Sequence, residues 1–327
     1  MAGKKYIDIQ EGNKMPIVGL GTWQCTNEEE LVNALDVALE IGYRHIDTAY
    51  AYGNEQIIGK VLKKWFDSGK LKREDLFITT KLPLFAIKAD KVEEMIKASL
   101  KSLDVDYVDL YLIHFPVYMK LNDGEIFSRS EKTYETEVTD HLAVWKKMEE
   151  QVRAGRTKAI GVSNFNIRQI DRILKNSEIK PANLQVELHV QLQQRELVKF
   201  CQDNGVSVTA YSPLGSPGYN KFLESFGKPV KPIPDLINDL SIKKIAKKHE
   251  KTNAQVLLRY TMQRNVAVIP KSINPNRLKE NFDVFDFSLD EDDVKIINDM
   301  EVGEAARVCD CMLFPGLEKN VEFPFPR

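Results

Sequence analysis

One stretch of the chain, GYRHIDTAYAYGNEQIIG (Gly42–Gly59), carries residue types that proton-transfer chemistry uses. A short apolar strand ends at Asp47, and two phenols follow at Tyr50 and Tyr52 before a glycine opens the next helix. A carboxylate and a phenol at the end of a strand can exchange a proton with a substrate. The stretch alone does not indicate which of the two tyrosines would do so.

The surrounding sequence alternates between short apolar strands and amphipathic helices. In the helix Glu28–Ile41, for example, apolar residues recur at helical spacing and share one face. The predicted strands are Ile17–Leu20, His45–Thr48, Leu76–Thr80, Val108–Ile113, Ala159–Val162, Leu184–Val186, Val206–Ala210 and Val266–Ile269. The predicted helices are Glu28–Ile41, Glu55–Phe66, Asp90–Leu103, Val138–Ala154, Ile167–Leu174, Arg195–Gln202, Ile237–His249, Asn253–Met262 and Pro275–Phe282.

Eight units of a strand followed by a helix favour a parallel sheet covered on both faces. Eight strands also close into a (β/α)8 TIM barrel, and 327 residues is an ordinary length for that fold. An open doubly wound sheet gives the same alternation and remains the structural alternative. Because no Pro- or Ser-rich linker interrupts the pattern, we predict one domain over residues 1–327. An N-terminal hairpin (residues 6–18) and a C-terminal tail (Val302–Arg327) are additions to it.

Four polar residues fall at the ends of consecutive strands, where a barrel places its active site. Asp47 and Tyr52 follow the second strand, Lys81 ends the third and His114 ends the fourth. An ammonium group beside a phenol is expected to lower the phenol pKa, and a carboxylate would hold the ammonium in place. A phenol there would protonate a developing alkoxide, and neutral His114 would orient the carbonyl. This set lacks a hydride source.

Composition excludes several classes of function. With 46 basic and 48 acidic residues the net charge is -2, so no basic field attracts nucleic acid or an anionic membrane. The N-terminal sequence has no apolar run of the signal-peptide kind, and no stretch is long enough to span a bilayer. The cysteines Cys25, Cys201, Cys309 and Cys311 include no metal-ligand spacing, so we expect free thiols of a cytoplasmic protein and no bound metal. No G-x-G-x-x-G motif indicates a Rossmann fold.

Three separated blocks resemble the aldo-keto reductases, NADPH-dependent (β/α)8-barrel enzymes, and the resemblance covers essentially the whole chain. They are Gly42–Gly59, KAIGVSNF (Lys158–Phe165) and IPKS (Ile269–Ser272), with KLP at Lys81 and IHFP at Ile113 in addition. The catalytic tetrad of that family falls here on Asp47, Tyr52, Lys81 and His114. Tyr52 stands in the family's Tyr-x-Asn-Glu pattern, so the resemblance implies that Tyr52 is the acid and that Tyr50 lines the substrate pocket.

The resemblance also implies a cofactor site for NADPH. Ser163, Asn164 and Gln185 would hydrogen-bond the nicotinamide carboxamide, and Tyr211 would stack under its ring. Gly21 and Thr22 would flank the same end, and Ser212, Leu214 and Ser216 would line the pyrophosphate. At the far end the 2′-phosphate would lie on Lys271, Ser272 and Arg277, with Glu280 and Asn281 at the adenine. Two cations near one phosphate favour NADP(H) over NAD(H).

The chain departs from the family pattern at several positions. Many relatives clasp the cofactor with a Lys–Asp ion pair, but here Gln24 follows Trp23 and the loop after the seventh strand reads GSPG (Gly215–Gly218). We therefore expect faster cofactor release that depends only weakly on salt. Phe115 stands where carbonyl reducers commonly carry Trp, and Pro83 replaces another pocket Trp. A pocket walled by Trp23, Tyr50, His114 and Phe115 suits bulkier or more apolar carbonyl compounds than small sugars.

The sequence therefore predicts NADPH-dependent reduction of small-molecule aldehydes and ketones by a cytoplasmic monomer. A narrow keto-steroid (ecdysteroid) reductase is an alternative, because the overall pattern is also similar to insect members of the family with that activity. A non-catalytic NADPH-binding protein is a further alternative, which the intact tetrad disfavours. The tail, which closes the pocket in this family, contains Cys309 and Cys311. We expect both to be ordinary loop thiols, and an effect of their oxidation or alkylation on activity is the alternative.

Overall fold

A computed structural model gives the arrangement of residues 5–122, 124, 133–311 and 313–326. Eight parallel strands form its main sheet, and each pairs with the next one along the chain. They are β1 (Leu20–Gly21), β2 (His45–Asp47), β3 (Phe77–Leu82), β4 (Val108–Ile113), β5 (Thr157–Ser163), β6 (Asn183–Glu187), β7 (Ser207–Tyr211) and β8 (Val266–Val268). Residues 1–4 and 327, which the predicted single domain includes, lie outside the described residues, as does Met312 of the tail.

The first and last strands meet and close this sheet into a barrel. The backbone N–H of Val268 donates to the carbonyl of Ile17 at 2.8 Å, and the N–H of Gly19 donates to the carbonyl of Val268 at 2.8 Å. A second parallel bridge joins Gly21 to Lys271. A Cβ atom at Gly21 would lie 2.5 Å from the carbonyl oxygen of Ile269, so this close approach requires glycine. The predicted (β/α)8 barrel is confirmed, and the open doubly wound sheet is excluded.

Helices follow the strands around the barrel. They are α1 (Glu28–Ile41), α2 (Glu55–Asp67), α3 (Val92–Leu103), α4 (His141–Arg153), α5 (Ile167–Asn176), α6 (Arg195–Asp203), α7 (Tyr219–Ser225), α8 (Leu240–Lys248), α9 (Asn253–Gln263), α10 (Pro275–Phe282) and α11 (Glu291–Asn298). The predicted N-terminal hairpin is also present, with Tyr6–Asp8 paired antiparallel to Lys14–Pro16. None of the described helices combines the length and the apolarity that crossing a membrane requires.

The helices α4 and α8 begin later than the predicted Val138 and Ile237, because an aspartate caps each of them. The carboxylate of Asp140 accepts hydrogen bonds from the backbone of the first turn of α4, and Asp239 does the same for α8. The helix α7 was not predicted, since seven residues are too few to show a clear period. The helix α11 was missed although Asp290 and Asp293 form a capping box at its start.

Strand register brings the polar strand ends to one rim of the barrel. Asp47 pairs with Thr79 between β2 and β3, and Lys81 pairs with Leu112 between β3 and β4. Gln185 pairs with Ser163 between β6 and β5. These residues therefore lie at the C-terminal ends of the strands, where barrel enzymes carry their chemistry.

Candidate active site

A cleft of about 850 Å³ opens at this rim of the barrel. Every residue predicted to contact the cofactor lines it, from Gly21 at β1 to Asn281 in α10. Asp47, Tyr52 and His114 also line the cleft, whereas Lys81 lies behind them with no exposed surface. The structure thus brings the predicted catalytic and cofactor residues together around one continuous space.

The buried ammonium of Lys81 is the centre of the predicted tetrad. Its Nζ donates to Oδ1 of Asp47 at 2.7 Å, to the carbonyl of Thr48 at 2.8 Å and to the hydroxyl of Tyr52 at 3.4 Å. An ammonium has three N–H donors, so these contacts use all of them. Because the hydroxyl oxygen of Tyr52 accepts a hydrogen bond from Lys81, the hydroxyl proton of Tyr52 is free to point into the cleft.

Asp47 is fixed from both sides. Its second oxygen, Oδ2, accepts from Nε2 of Gln185 at 2.7 Å, while Oδ1 binds Lys81. The carboxylate is buried, and a buried charge is tolerated when it is paired and hydrogen-bonded in this way. Gln185 keeps its amide oxygen and one N–H for a ligand in the cleft.

The pKa of Tyr52 corrects one expectation from the sequence. Lys81 was expected to lower this pKa, but burial, together with the charge of Asp47, raises the pKa of Tyr52 well above its ordinary value. Burial favours the neutral phenol, and here its effect outweighs that of a neighbouring ammonium. Tyr52 is therefore protonated at neutral pH, which is the state that a proton donor requires.

His114 follows β4 and stands against Tyr52, with ring centroids 5.6 Å apart at an angle of 74°. Burial and the charge of Lys81 lower the pKa of His114 well below its ordinary value, so the ring is neutral as expected. Its buried Nδ1 has no hydrogen-bond partner among the described residues. A buried ring nitrogen without a partner is costly, and a polar ligand in the cleft is one way to satisfy an imidazole held here.

The neutral histidines predict a pH dependence of stability. Burial lowers the pKa of His45, His114 and His141, so each is neutral in the native state while the unfolded chain takes up protons below about pH 6.5. The free energy of unfolding therefore keeps this contribution in full above about pH 6.5. It falls as the pH decreases, by up to about 1.4 kcal/mol per pH unit for each histidine. Urea midpoints between about pH 7.5 and pH 5 measure this. His114→Gln should show a shallower slope than the wild type, and an equal slope would contradict a neutral His114.

A second polar group lies where the nicotinamide end was predicted. The hydroxyl of Tyr211 donates to Oδ1 of Asn164 at 2.7 Å, and Nδ2 of Asn164 donates to the carbonyl of His114 at 3.0 Å. Asn164 has a left-handed backbone with φ of 63°, a conformation that asparagine adopts more readily than most residues. Asn164 is thereby fixed between β4 and β7, with Ser163 beside it.

The loop after β7 holds two serines in strained conformations. Ser212 and Ser216 both have positive φ, 51° and 48°, and Oγ of Ser216 donates to Oγ of Ser212 at 2.6 Å. Non-glycine residues in this region cost free energy and occur where the surrounding structure enforces them. Together with Leu214 they line the cleft at the position predicted for the pyrophosphate.

The far end of the cleft is built for an anion. Lys271 and Arg277 are both exposed, and neither has an acidic partner among the ion pairs of the described residues. Arg277 lies in the first turn of α10, whose N-terminus is capped by Asn274 and begins with Pro275. Helix N-termini attract anions, so two unpaired cations beside one are suited to hold an anion such as a phosphate. Ser272, Glu280 and Asn281 line the same end.

Tyr50, like the buried Lys81, is a predicted site residue that does not line the cleft. Its half-buried ring packs against Phe85, with centroids 6.0 Å apart. Trp23 and Phe115 do line the cleft, and Phe115 also packs against Phe323 and Phe325 of the tail. The structure thus separates the two tyrosines, which spacing alone could not do.

Several residues at the cleft were not predicted. Asn54 is fully buried, and its Nδ2 donates to the carbonyl of Thr22 at 2.9 Å and to that of Cys25 at 3.2 Å, which joins the loops after β1 and β2. Asn54 is the asparagine of the Tyr-x-Asn-Glu pattern, so the sequence could have indicated its importance. Leu84, Leu313 and Phe314 form an apolar wall of the cleft. The resemblance implied that the tail closes the pocket, but no motif singled out these residues.

The four cysteines are free thiols, as predicted. Cys309 and Cys311 line the cleft, and an effect of their modification on activity stays untested. Burial raises the pKa of both thiols, which disfavours the reactive thiolate. Gln24, Pro217 and Gly218 also line the cleft without a charge between them, and the looser clasp inferred from these residues stays a prediction.

Known proteins are similar to this chain in both sequence and architecture. The sequence profile of the Aldo/keto reductase family matches residues 17–301. Aldo-keto reductase family 1 member A1 of Xenopus tropicalis is 43% identical over 294 residues, which cover 90% of this chain and 88% of the relative. The aldose reductase structure from Schistosoma japonicum is similar with a TM-score of 0.86 at 39% identity and covers 100% of this chain and 99% of its own. The aldo-keto reductase AKR2E5 of the silkworm Bombyx mori, solved in complex with NADPH, has a TM-score of 0.85 at 36% identity and covers 100% and 95%.

Proposed function

The chain belongs to the aldo/keto reductase family, and from this premise we propose that it reduces aldehydes and ketones to alcohols with Tyr52 as the proton donor. It is an NADPH-dependent oxidoreductase of carbonyl groups. The observation that carries the proposed role of Tyr52 is its hydrogen bond with Lys81, which leaves a protonated phenol facing the cleft. Bound NADPH supplies the hydride.

The donors and cations of the cleft fit this cofactor. Lys271 would attract the 2′-phosphate through its ammonium charge, and Arg277 would bind it with two parallel N–H donors. Ser272 lies beside them. Tyr211 would stack on the nicotinamide ring, while Ser163, Asn164 and Gln185 would hold its carboxamide. The buried hydrogen bonds that fix Asn164 and Gln185 support this, because both side chains are already oriented before the ligand arrives.

Proton delivery in the proposed reaction depends on three residues of this chain. Tyr52 would give its proton to the carbonyl oxygen as negative charge develops there. Lys81 would stabilise the phenolate that forms, since it already donates to the same oxygen, and Asp47 holds Lys81. Neutral His114 would donate a hydrogen bond that orients the carbonyl.

We propose neutral, apolar carbonyl compounds as the substrate class. The walls of the cleft near Tyr52 and His114 are apolar: they are Trp23, Leu84, Phe115, Leu313 and Phe314. Among the described residues near this end, the cations Lys231 and Arg307 are both paired with carboxylates. An anionic substrate would therefore meet no unpaired cation on these walls, and transferring a carboxylate there is costly.

A panel of carbonyl compounds tests this substrate class. NADPH oxidation should be faster with aromatic aldehydes and keto-steroids than with carboxylated or small sugar aldehydes of equal reactivity. Activity confined to keto-steroids would favour the narrow ecdysteroid alternative, and a preference for carboxylated substrates would refute the proposed class. Action as a monomer stays a prediction from the resemblance, and a cytoplasmic location stays a prediction from the cysteine content.

The phosphate site predicts cofactor preference. Lys271→Ala combined with Arg277→Ala should raise the KM for NADPH by about 100-fold or more while changing the KM for NADH little, because each lost charged contact costs about 1.5–3 kcal/mol. Initial rates with both cofactors measure this. Lys279→Ala, which removes an exposed lysine of the same helix outside the cleft, is the matched control. A parallel rise in both KM values would place the 2′-phosphate elsewhere.

A further inference from the structure

A small apolar cluster stands beside the cleft, separate from the barrel core. Its buried members are Tyr219, Leu223, Val308 and Leu313. Trp23 packs on this cluster, with its ring 5.1 Å from that of Phe222 and 6.2 Å from that of Tyr219. The cluster therefore joins three segments: the loop after β1, the loop that contains α7, and the C-terminal tail.

Lys231 makes a direct polar connection between two of these segments. It lies in the loop between α7 and α8, and its Nζ forms an ion pair with Asp310 of the tail. The same Nζ donates to the carbonyl of Arg307 at 3.1 Å and lies 5.6 Å from the ring centroid of Tyr219. Only 13% of the Lys231 side chain is exposed, so water screens this contact less than a surface pair.

The tail is held to the barrel just before this ion pair. The buried carboxylate of Glu187, at the end of β6, accepts the backbone N–H groups of Val308 and Cys309, both at 2.7 Å. These bonds fix where the tail enters the cleft. Lys231 then determines how the loop with α7 lies against the tail.

The two joined segments serve different parts of the cleft. The loop after β7 carries Ser212, Leu214 and Ser216, the predicted pyrophosphate positions, whereas the tail carries Leu313 and Phe314 of the substrate walls. A contact that joins them couples the two binding regions physically. Gln24, across the cleft from the loop after β7, carries no charge and cannot form an ion pair with it. The segment that follows this loop forms its ion pair with the tail instead, through Lys231 and Asp310.

We propose that Lys231 is a positioning residue that couples release of the cofactor to movement of the tail. The ion pair with Asp310 and the shared apolar cluster make the loop and the tail open as one unit. NADPH then leaves only when the substrate side of the cleft opens. This inference rests on the proposed NADPH site.

Release kinetics test the coupling. NADPH dissociation from the full chain is followed by stopped-flow fluorescence in the wild type, Lys231→Met, Asp310→Asn and the double variant, with no carbonyl present. Each single variant should release NADPH about five- to twentyfold faster, and the double variant no faster than the singles, because both remove one interaction. Lys221→Met, at an exposed lysine of α7, should release NADPH at the wild-type rate. Unchanged rates in both single variants, or effects that multiply in the double variant, would overturn the proposal.

Salt provides a second arm of the same experiment. The missing charges at Gln24 and in the Gly215–Gly218 loop predict release that depends weakly on salt, whereas the Lys231–Asp310 pair predicts faster release as salt rises. Wild-type release should accelerate with potassium chloride more steeply than release from Lys231→Met, in which salt weakens only the phosphate contacts of Lys271 and Arg277. Equal salt dependence of the two proteins would count against the ion pair.

Amide hydrogen exchange provides a readout that needs no cofactor. In the protein without NADPH, Lys231→Met should accelerate exchange both in the loop around α7 and in the tail around Val308. Faster exchange in one segment alone would refute opening as one unit. Failure of the reductase assignment would differ from both results, since it would appear as absent turnover in a wild type that still binds NADPH.

Discussion

Tyr52→Phe is expected to bind NADPH as tightly as the wild type and to lose nearly all carbonyl reduction. The substitution removes one oxygen and leaves the ring that packs against His114. General acid catalysis contributes about 100- to 10,000-fold in rate, so kcat/KM should fall by that amount. Steady-state turnover of an aromatic aldehyde and a fluorescence titration with NADPH measure the two quantities.

Tyr50→Phe is the matched control for this result. Tyr50 packs against Phe85 and does not line the cleft, so loss of its hydroxyl should leave turnover within about twofold of the wild type. If Tyr52→Phe reduced the aldehyde at the parent rate, Tyr52 would not be the acid. A large loss in Tyr50→Phe alone would transfer that role to the other phenol.

Lys81→Met is expected to reduce both stability and turnover. It removes the ammonium that binds Asp47 at 2.7 Å and leaves that carboxylate buried without its charged partner. Breaking a buried ion pair from one side costs about 3–5 kcal/mol, and Tyr52 would also lose the donor to its oxygen. Urea unfolding and steady-state kinetics measure the two losses. Lys63→Met, at an exposed lysine paired with Asp67, should leave the urea midpoint close to the wild-type value, because exposed ion pairs contribute little to stability.

A double variant separates the two roles of Lys81. Lys81→Met combined with Asp47→Asn removes both charges, so stability should recover to within about 2 kcal/mol of the wild type. Turnover should remain low, because no ammonium is present to stabilise the Tyr52 phenolate. Recovery of turnover together with stability would mean that the ion pair only maintains the fold.

The barrel and most of its site could be predicted because both follow from local patterns. Apolar strands alternate with amphipathic helices, and the carboxyl ends of parallel strands meet at one rim. Residues at those ends, such as Lys81 and His114, therefore had to converge once the barrel closed. The prediction of one domain over the full length stays a prediction, since the family profile covers residues 17–301.

Other features depend on contacts between distant parts of the chain. Lys231 and Asp310 are 79 residues apart, and neither stands in a motif that would indicate the pair. Leu313 and Phe314 reach the cleft because distant contacts, such as those of Glu187 with the backbone of the tail, hold the tail against the barrel. The pKa of Tyr52 was predicted in the wrong direction, because the proximity of a charge can be inferred from a motif, whereas the desolvation of the phenol by its surroundings cannot.

This chain is proposed to reduce a carbonyl group with NADPH, with Tyr52 as the source of the proton. The most direct test mixes the purified chain with NADPH and an aromatic aldehyde and measures cofactor oxidation and alcohol formation together. We predict one alcohol for each NADPH oxidised by the wild type, and almost none with Tyr52→Phe at equal NADPH occupancy. A wild-type chain that binds NADPH and leaves every aldehyde and ketone unreduced would contradict the account.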